Sequence, residues 1–174
     1  MSVDLEALFD DGRLRHLAPG RPLFHGGDPV QEMFLVIAGV VVVSRQTGAG
    51  TALVLHRAEA GQILAEASAY SLAYHCDARA TVASVVKAVP VARFRARSTA
   101  DATLADAWAG HLAGAVQAAR WRAELRTLRT VAERLDAWLA AGHALPEKGH
   151  RHELAAELGV SREALYRELA ARRG

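Results

Sequence analysis

Hydrophobic positions follow two different periods along this chain, and the change falls near residue 97. Before it, short runs rich in β-branched residues are separated by glycine-bearing turns, which indicates antiparallel strands. After it, apolar residues recur at spacings of three and four, which indicates amphipathic helices. The pattern predicts an α+β protein, in which an antiparallel sandwich or barrel precedes several helices.

Three apolar runs in the first part are predicted to be strands. They are residues 34–45, broken once at Gly39, residues 52–58, and residues 80–94; a hairpin turn is predicted at residues 47–51. Ahead of them, residues 2–18 are predicted to form a short amphipathic helix with Leu5, Leu8 and Leu14 as its apolar points. Pro19 and Gly20 then end that helix.

The last stretch, residues 150–173, predicts two short helices joined at Gly159, a residue type that ends helices. Ser161 is a good N-cap for the second helix, and Glu163 falls in its first turn, where the helix dipole favours a carboxylate. The apolar positions shared by the pair are Leu154, Ala155, Leu158, Leu165 and Leu169. Before them, residues 126–141 predict another helix, stopped by Gly142 and Pro146.

Arg162, Tyr166 and Arg167 fall on the polar side of the second helix. Two helices joined by a short glycine-bearing turn form the helix-turn-helix arrangement, whose second helix reads base edges in the major groove. Arginine can hold guanine with two hydrogen bonds, and glutamate can accept one from cytosine. The alternative is a surface hairpin with solvated charges; we favour DNA reading.

A stripe of apolar and small residues runs through the first long helical stretch. Its members are Leu104, Trp108, Leu112, Ala115 and Ala119, and Asp101 is a suitable cap ahead of them. The stripe could dock on the β domain of its own chain, or it could pair with the same helix of a second subunit. We favour the pair, because one helix-turn-helix reads only a half-site.

Charge and cysteine content agree with an intracellular DNA-binding protein. The formal net charge is only +2, yet residues from Ala119 onward carry 11 basic against 8 acidic side chains, and the earlier residues 10 against 11. A single cysteine excludes an intrachain disulfide. Without a signal peptide or a membrane-spanning run, we expect a cytoplasmic protein with no membrane partner. No nucleophile motif, P-loop or dinucleotide fingerprint occurs, so we do not expect an enzyme.

The order of these parts resembles the Crp–Fnr family of bacterial transcription regulators. The matching segments are residues 23–39 (LFHGGDPVQEMFLVIAG), 61–82 (GQILAEASAYSLAYHCDARATV), 127–140 (TLRTVAERLDAWLA) and 153–169 (ELAAELGVSREALYREL). The resemblance implies an N-terminal β-roll sensor domain, of the double-stranded β-helix or cupin-like type, at residues 1–98. It implies a dimerisation helix at residues 99–124 and an all-α helix-turn-helix domain at residues 125–174.

The resemblance also implies the DNA contacts and the partners. Base-reading roles fall to Arg162, Glu163 and Arg167. The other residues expected at the DNA, by phosphate contact or by position on the same face, are Ser161, Arg151 and Tyr166. The implied partners are double-stranded DNA, a second copy joined through residues 101–122, and RNA polymerase. Family members usually continue into a β-hairpin wing, whereas this sequence stops at Gly174; we therefore expect DNA affinity to depend more on the dimer and on Arg172 and Arg173.

The second matching segment lies where cyclic-nucleotide binders carry their phosphate-binding cassette. Glu66 stands at the place of the glutamate that holds the ribose, whereas Cys76 and Asp77 replace the arginine and serine that hold the phosphate. A carboxylate repels an anion, so we do not expect cAMP as the effector. The expected effector pocket comprises Glu66, Ala67, Ser68, Tyr70, Cys76 and Asp77.

The adjacent pair His75 and Cys76 suggests other chemistries for this pocket. Thiolate and imidazole suit a soft metal such as Cu(I), haem iron, or thiol redox sensing. Neighbours on a regular strand point to opposite faces, so both would bind one metal ion only where the strand is irregular, with His25, His56 or a second subunit completing the site. The alternative is a buried structural cysteine beside a surface histidine.

Taken together, the sequence predicts an effector-responsive, sequence-specific DNA-binding regulator. One competing interpretation is a ligand- or metal-binding β-roll module whose helical tail contacts proteins rather than DNA. Another is a cupin-type enzyme, which would need a convergent cluster of histidine and carboxylate metal ligands. The eight histidines are scattered along the sequence.

Overall fold

The computed structural model describes residues 5–46, 52–147, 149 and 151–173. The chain divides into two compact units, residues 1–112 and residues 113–174. The long helix α2 (Ala102–Thr127) contributes to both. The finer division predicted from the sequence, with boundaries after residues 98 and 124, stays a prediction. Within the described residues, no helix is long and apolar enough to cross a bilayer.

Two four-stranded antiparallel sheets form most of the first unit. The strands are β1 (Arg13–Leu17), β2 (Pro22–Phe24), β3 (Glu32–Ala38), β4 (Val41–Gln46), β5 (Ala52–Ala58), β6 (Ile63–Leu64), β7 (Asp77–Ala80) and β8 (Ser84–Pro90). One sheet has the order β1-β8-β3-β6 and the other β2-β7-β4-β5. Apolar side chains from both sheets, among them Phe24, Phe34, Val43 and Val86, share one core. The α+β class expected from the sequence is confirmed.

The predicted break at Gly39 is confirmed, because β3 ends at Ala38 and β4 begins at Val41. Gly39 has a φ of +84°, and a Cβ placed there would lie 2.5 Å from the carbonyl oxygen of Ala83. Only glycine satisfies both the backbone conformation and this close approach. The predicted return strand, residues 52–58, is β5. The predicted turn at residues 47–51 lies outside the described residues.

Two elements expected from the sequence are wrong. The helix predicted over residues 2–18 is a 3-10 helix at Leu5–Phe9, and Arg13–Leu17 instead forms β1. Strand β1 pairs antiparallel with β8, which satisfies its backbone hydrogen bonds through a partner distant in sequence. The single strand predicted over residues 80–94 is interrupted: Ala80 ends β7, β8 runs from Ser84 to Pro90, and Phe94 belongs to helix α1 (Val91–Ala100). Proline lacks the N–H that would continue the ladder.

A second core lies on the other face of the first sheet, where α1 and the start of α2 pack. Phe9, Met33, Leu35, Phe94 and Trp108 are its largest members. The Trp108 side chain is 3% exposed, and its ring meets that of Phe94 edge to face at 5.0 Å between centroids. Its Nε1–H donates to the Tyr70 hydroxyl at 2.9 Å. Trp108 thereby anchors α2 to the sheet.

Helix α2 begins as the sequence predicts, and its apolar stripe divides into two parts. The Asp101 carboxylate accepts hydrogen bonds from the N–H groups of Thr103 and Leu104, which confirms it as the cap. Leu104 and Leu112 pack against the second core beside Trp108. Every residue from 113 to 120 is exposed within the chain. The first part of the stripe therefore docks on the chain's own β unit.

The second unit is built from the end of α2 and three further helices: α3 (Val131–Ala140), α4 (Arg151–Leu158) and α5 (Arg162–Ala171). Their shared core comprises Leu125, Leu135, Trp138, Leu154, Ala155, Leu158, Leu165 and Leu169. The helix expected from residue 126 begins later, at Val131, because Thr130 and Glu133 form a capping box. Gly142, with a φ of +90°, lies just beyond its end.

Replacing Trp108 with alanine should destabilise the first unit by about 3–5 kcal/mol, because it leaves a large cavity in the second core. Chemical denaturation followed by far-UV circular dichroism measures this loss. Leu72 is 94% exposed, so Leu72→Ala is the control and should stay within about 0.5 kcal/mol of the parent. Equal stability of the Trp108→Ala variant and the parent would contradict the anchoring role.

Candidate functional site

The connection between α4 and α5 has the caps that the sequence predicts. Gly159 has a φ of +66°, and the N–H of Val160 returns to the carbonyl of Ala155 at 2.9 Å. This pattern ends α4 and gives a donor to the carbonyl of Ala155, the fourth residue from the end of the helix. The Ser161 hydroxyl accepts the N–H of Ala164 at 3.1 Å and so caps α5. Both ends are therefore set by local hydrogen bonds.

Helix α5 buries one face and exposes a charged one. Leu165 and Leu169 lie in the second unit's core. The exposed residues at its start are those for which the sequence predicted DNA contacts: Ser161, Arg162, Glu163, Tyr166 and Arg167. Their common exposure follows from the helical spacing, which places them away from the buried leucines. Tyr166 is 43% exposed, so its ring is available to a partner on this face.

The charge of Glu163 is stabilised at the N-terminus of α5. A hydrogen bond from its own backbone N–H, and another from the Ser161 hydroxyl, lower the pKa of the Glu163 carboxyl group. The positive charges of Arg162 and Arg167 lower that pKa further. The carboxylate is therefore ionised at neutral pH, as an acceptor for a base amino group must be.

Arg151 joins this face from the first residue of α4. Its guanidinium carbon lies 5.9 Å from the centroid of the Tyr166 ring, a cation–π arrangement. Its Nε is buried and makes no hydrogen bond within the described residues. The structure thus brings Arg151 together with the exposed residues of α5.

Arg172 does not lie free beside this face, although the sequence suggested that it would add to DNA affinity. Its guanidinium binds the carboxylates of Asp136 at 2.6 Å and Glu168 at 2.7 Å. It also donates to the carbonyl of Ala132 at 3.2 Å. These bonds tie the end of α5 to α3, so its contribution is to the packing of the unit.

The first unit carries a cleft of about 370 Å³ at Cys76. It is lined by His25, Gly26, Arg45, His75, Cys76 and Asp77. Burial raises the pKa of the Cys76 thiol, and the charge of Arg45 lowers it in part. The carboxylates of Asp77 and Glu66 raise it again. The thiol is therefore protonated at neutral pH.

The carboxylate of Asp77 gives this cleft a negative charge. One of its carboxylate oxygens accepts the backbone N–H of Gly26 at 2.8 Å and lies 3.6 Å from Nδ1 of His25. Arg45 is also engaged, because its Nε donates to the carbonyl of His75 at 3.1 Å. An incoming anion would meet a carboxylate where it needs a donor.

The other predicted pocket residues lie in a second group, on a 3-10 helix at Glu66–Tyr70 that packs against α2. An oxygen of Glu66 lies 3.4 Å from Nε2 of His111, whose ring stacks on Trp108. Tyr70 accepts the Trp108 hydrogen bond, and the guanidinium of Arg95 lies 5.6 Å from its ring centroid. Ser68 is buried, whereas Ala67 is exposed.

Sequence reasoning missed His111 as the partner of Glu66 and Arg45 as a lining residue of the cleft. The two members of each pair come from elements far apart in the chain. No local spacing marks such pairs. His111 does share the helical periodicity of the stripe, one turn beyond Trp108, which is the only signal that could have placed it near the sheet.

His75 and Cys76 lie in a bend just before β7 begins at Asp77, and they differ in exposure. The His75 ring is exposed, with Nε2 3.1 Å from the Ser71 hydroxyl, whereas Cys76 is buried. In the parts of the chain that the structure describes, no three histidine, cysteine, aspartate or glutamate side chains form a cluster able to hold a metal ion. A metal role for His75 and Cys76 stays a prediction.

Comparisons with known proteins identify the class of the first unit. Residues 14–99 match the family model of the cyclic nucleotide-binding domain, so the chain contains a domain of that class. No curated protein sequence matches the chain.

Three solved structures share the fold. The Thermus thermophilus catabolite activator protein is 25% identical, with a TM-score of 0.60 over 97% of this chain and 81% of its own. FixK2 from Bradyrhizobium japonicum is 17% identical, with a TM-score of 0.70 over 92% of this chain and 83% of its own. A transcriptional regulator from Thermotoga maritima is 18% identical, with a TM-score of 0.61 over 68% and 93%. The last two show the fold alone.

The Cys76 thiol should react slowly with iodoacetamide at neutral pH, because burial and two carboxylates raise its pKa. The rate should rise with pH up to and beyond the usual thiol range. Cys76 is the single cysteine, so mass spectrometry of the intact chain gives the labelled fraction directly. The chain unfolded in guanidinium is the control and should react faster. Equal rates in the two states would contradict the assignment.

Proposed function

We propose that this protein is an effector-responsive, sequence-specific DNA-binding transcription regulator of the Crp–Fnr type. The observation that carries the proposal is the exposed face at the start of α5, where Arg162, Glu163, Tyr166 and Arg167 lie together. In this arrangement α4 and α5 act as a helix-turn-helix, and α5 enters the major groove. Arg162 and Arg167 contact guanine, and Glu163 accepts from cytosine.

Phosphate contacts come from the flanks of the same face. The Ser161 hydroxyl and the N-terminus of α5 favour an anion there, and Arg151 lies beside Tyr166 at 5.9 Å. The similarity to solved regulators supports this assignment, since the likeness to the catabolite activator protein extends over 97% of the chain. RNA polymerase is the further partner that a regulator of this type requires.

A second copy of the chain covers the exposed part of α2. Residues 107–119, AWAGHLAGAVQAA, contain no charged side chain apart from a titratable histidine, and those from 113 onward are exposed. A helix that is apolar on all sides is normally buried, and its small residues allow a second helix to approach closely. In a dimer, the two α5 helices read half-sites about 34 Å apart.

The first unit serves as the β-roll sensor domain, and its effector is not cAMP. The cleft at Cys76 holds the carboxylate of Asp77 where a cyclic phosphate would need a donor. The effector chemistries that the sequence suggests are a soft metal such as Cu(I), haem iron, or oxidation of the thiol, and Cys76 would take part only after losing its proton. An effector that binds one dimer geometry more tightly shifts the population towards it and so changes DNA affinity.

Arg162→Ala and Arg167→Ala should each weaken binding to a specific site by about 1–3 kcal/mol and relax the base preference there. The site is first obtained by selecting from random duplex DNA, and affinities follow from fluorescence anisotropy. Arg57→Ala, at an exposed arginine of β5, is the matched control and should bind like the parent. Unchanged affinity in both α5 variants would favour the competing interpretation, in which the helical tail contacts proteins.

Val116→Asp should convert the dimer to a monomer, because it buries a carboxylate in the helix pair. Sedimentation equilibrium measures the change in mass. Val54→Asp is the control, since Val54 and Val116 are 52% and 50% exposed in the single chain. If the parent sediments as a monomer, or if Val116→Asp remains dimeric, α2 does not form the seam.

A further inference from the structure

The guanidinium of Arg134 on α3 donates hydrogen bonds to backbone carbonyls at the ends of two other helices. Its Nε donates to Leu128 at 2.9 Å, and its NH2 group donates to Arg126 at 3.2 Å. Its NH1 group donates to both Leu158 and Gly159 at 3.1 Å. All four acceptors are backbone carbonyls, and Arg134 is itself half-buried.

These carbonyls are the ones that a helix leaves unpaired at its C-terminus. Arg126 lies in the last turn of α2, and Leu128 follows directly after that helix ends at Thr127. Leu158 is the last residue of α4, and Gly159 follows it. The negative ends of both helix dipoles thus meet one cation, which attracts them and gives each carbonyl a donor.

The turn between α4 and α5 also packs closely against the end of α2. A Cβ added to Gly159 would lie 2.9 Å from Nε of Arg126, so α2 packs directly against the turn. Ser161, the cap of α5, follows two residues later. The position and direction from which α5 begins therefore depend on carbonyls that Arg134 binds.

We propose that Arg134 is a positioning residue for DNA reading, which sets the start of α5 relative to the end of α2. The inference rests on the proposed function, because it concerns the same reading face. Arg134 points its donors at the turn and touches no base. A displacement of the end of α2 reaches α5 through this guanidinium, within the second unit. Loss of Arg134 should misalign the base contacts, so it should lower specific DNA affinity more than non-specific DNA affinity.

The test compares the full-length parent with Arg134→Met and Arg134→Lys. Lysine keeps the charge but is a compact point donor that cannot reproduce the planar fork. Leu139→Ala on the same helix is the stability control, since Leu139 packs against the core of the second unit and supplies no hydrogen-bond donor from its side chain. For each chain, affinity is measured for the selected site and for unrelated duplex DNA at one salt concentration, at a temperature where all are folded.

The expected result is a fall of about tenfold in the ratio of specific to non-specific affinity for both Arg134 variants, the scale of one misaligned base contact. Leu139→Ala should keep the ratio of the parent even though its melting temperature falls. Amide hydrogen exchange at Gly159 and Val160, whose N–H groups bond within the turn, should accelerate in the Arg134 variants and not in the control.

The outcomes separate the inference from the function on which it rests. If the parent selects no DNA sequence, the proposed function fails. If the parent selects a sequence and the Arg134 variants keep its affinity ratio, the inference is overturned while the function stands. A full rescue by lysine would also overturn it, because charge alone would then suffice. A ratio lowered equally by Leu139→Ala would assign the effect to stability.

Discussion

The burial of Trp108 is the interaction on which the packing of helix α2 against the first unit depends. Its indole fills the second core against Phe94, and its N–H donates to the exposed Tyr70 at the edge of that core. A side chain of this size contributes much of the apolar area that holds a helix to a sheet. Because Trp108 lies early in α2, it fixes the first turns of the helix on the β unit.

Helix α2 changes its environment along its length. Leu104, Trp108 and Leu112 pack against the chain's own sheet, whereas residues 113–120, which are mostly small, are exposed. Glu66 contacts the anchored part through His111 at 3.4 Å. Helix α2, which was predicted to pair two subunits, therefore contacts the segment in which the effector pocket was predicted.

The cleft at Cys76 combines the fold of a cyclic nucleotide-binding domain with an acidic side chain in its lining. Residues 14–99 retain the pattern of the cyclic nucleotide-binding domain. Yet the Gly26 N–H is already paired with Asp77, and Cys76 stands nearby in an environment that keeps it protonated. A backbone donor bound by an internal carboxylate cannot hold a phosphate unless that bond breaks. The scaffold and the chemistry of the cleft are thus set by different residues.

Short-range sequence signals were enough to predict several helix and strand ends of this protein. Three such signals are the cap of α5 at Ser161, the helix end at Gly159 and the strand break at Gly39. Each depends on a hydrogen bond or a backbone angle that residues within a few positions determine. Strand β1 was mistaken for helix because its pairing with β8 joins residues about 70 positions apart in register. The contact of His111 with Glu66 also joins distant positions. The four carbonyls on Arg134 lie 6 to 25 positions away, and they meet its guanidinium only because the ends of α2 and α4 pack together. Periodicity shows which face of an element is buried, but only the packed chain decides which distant atoms meet there.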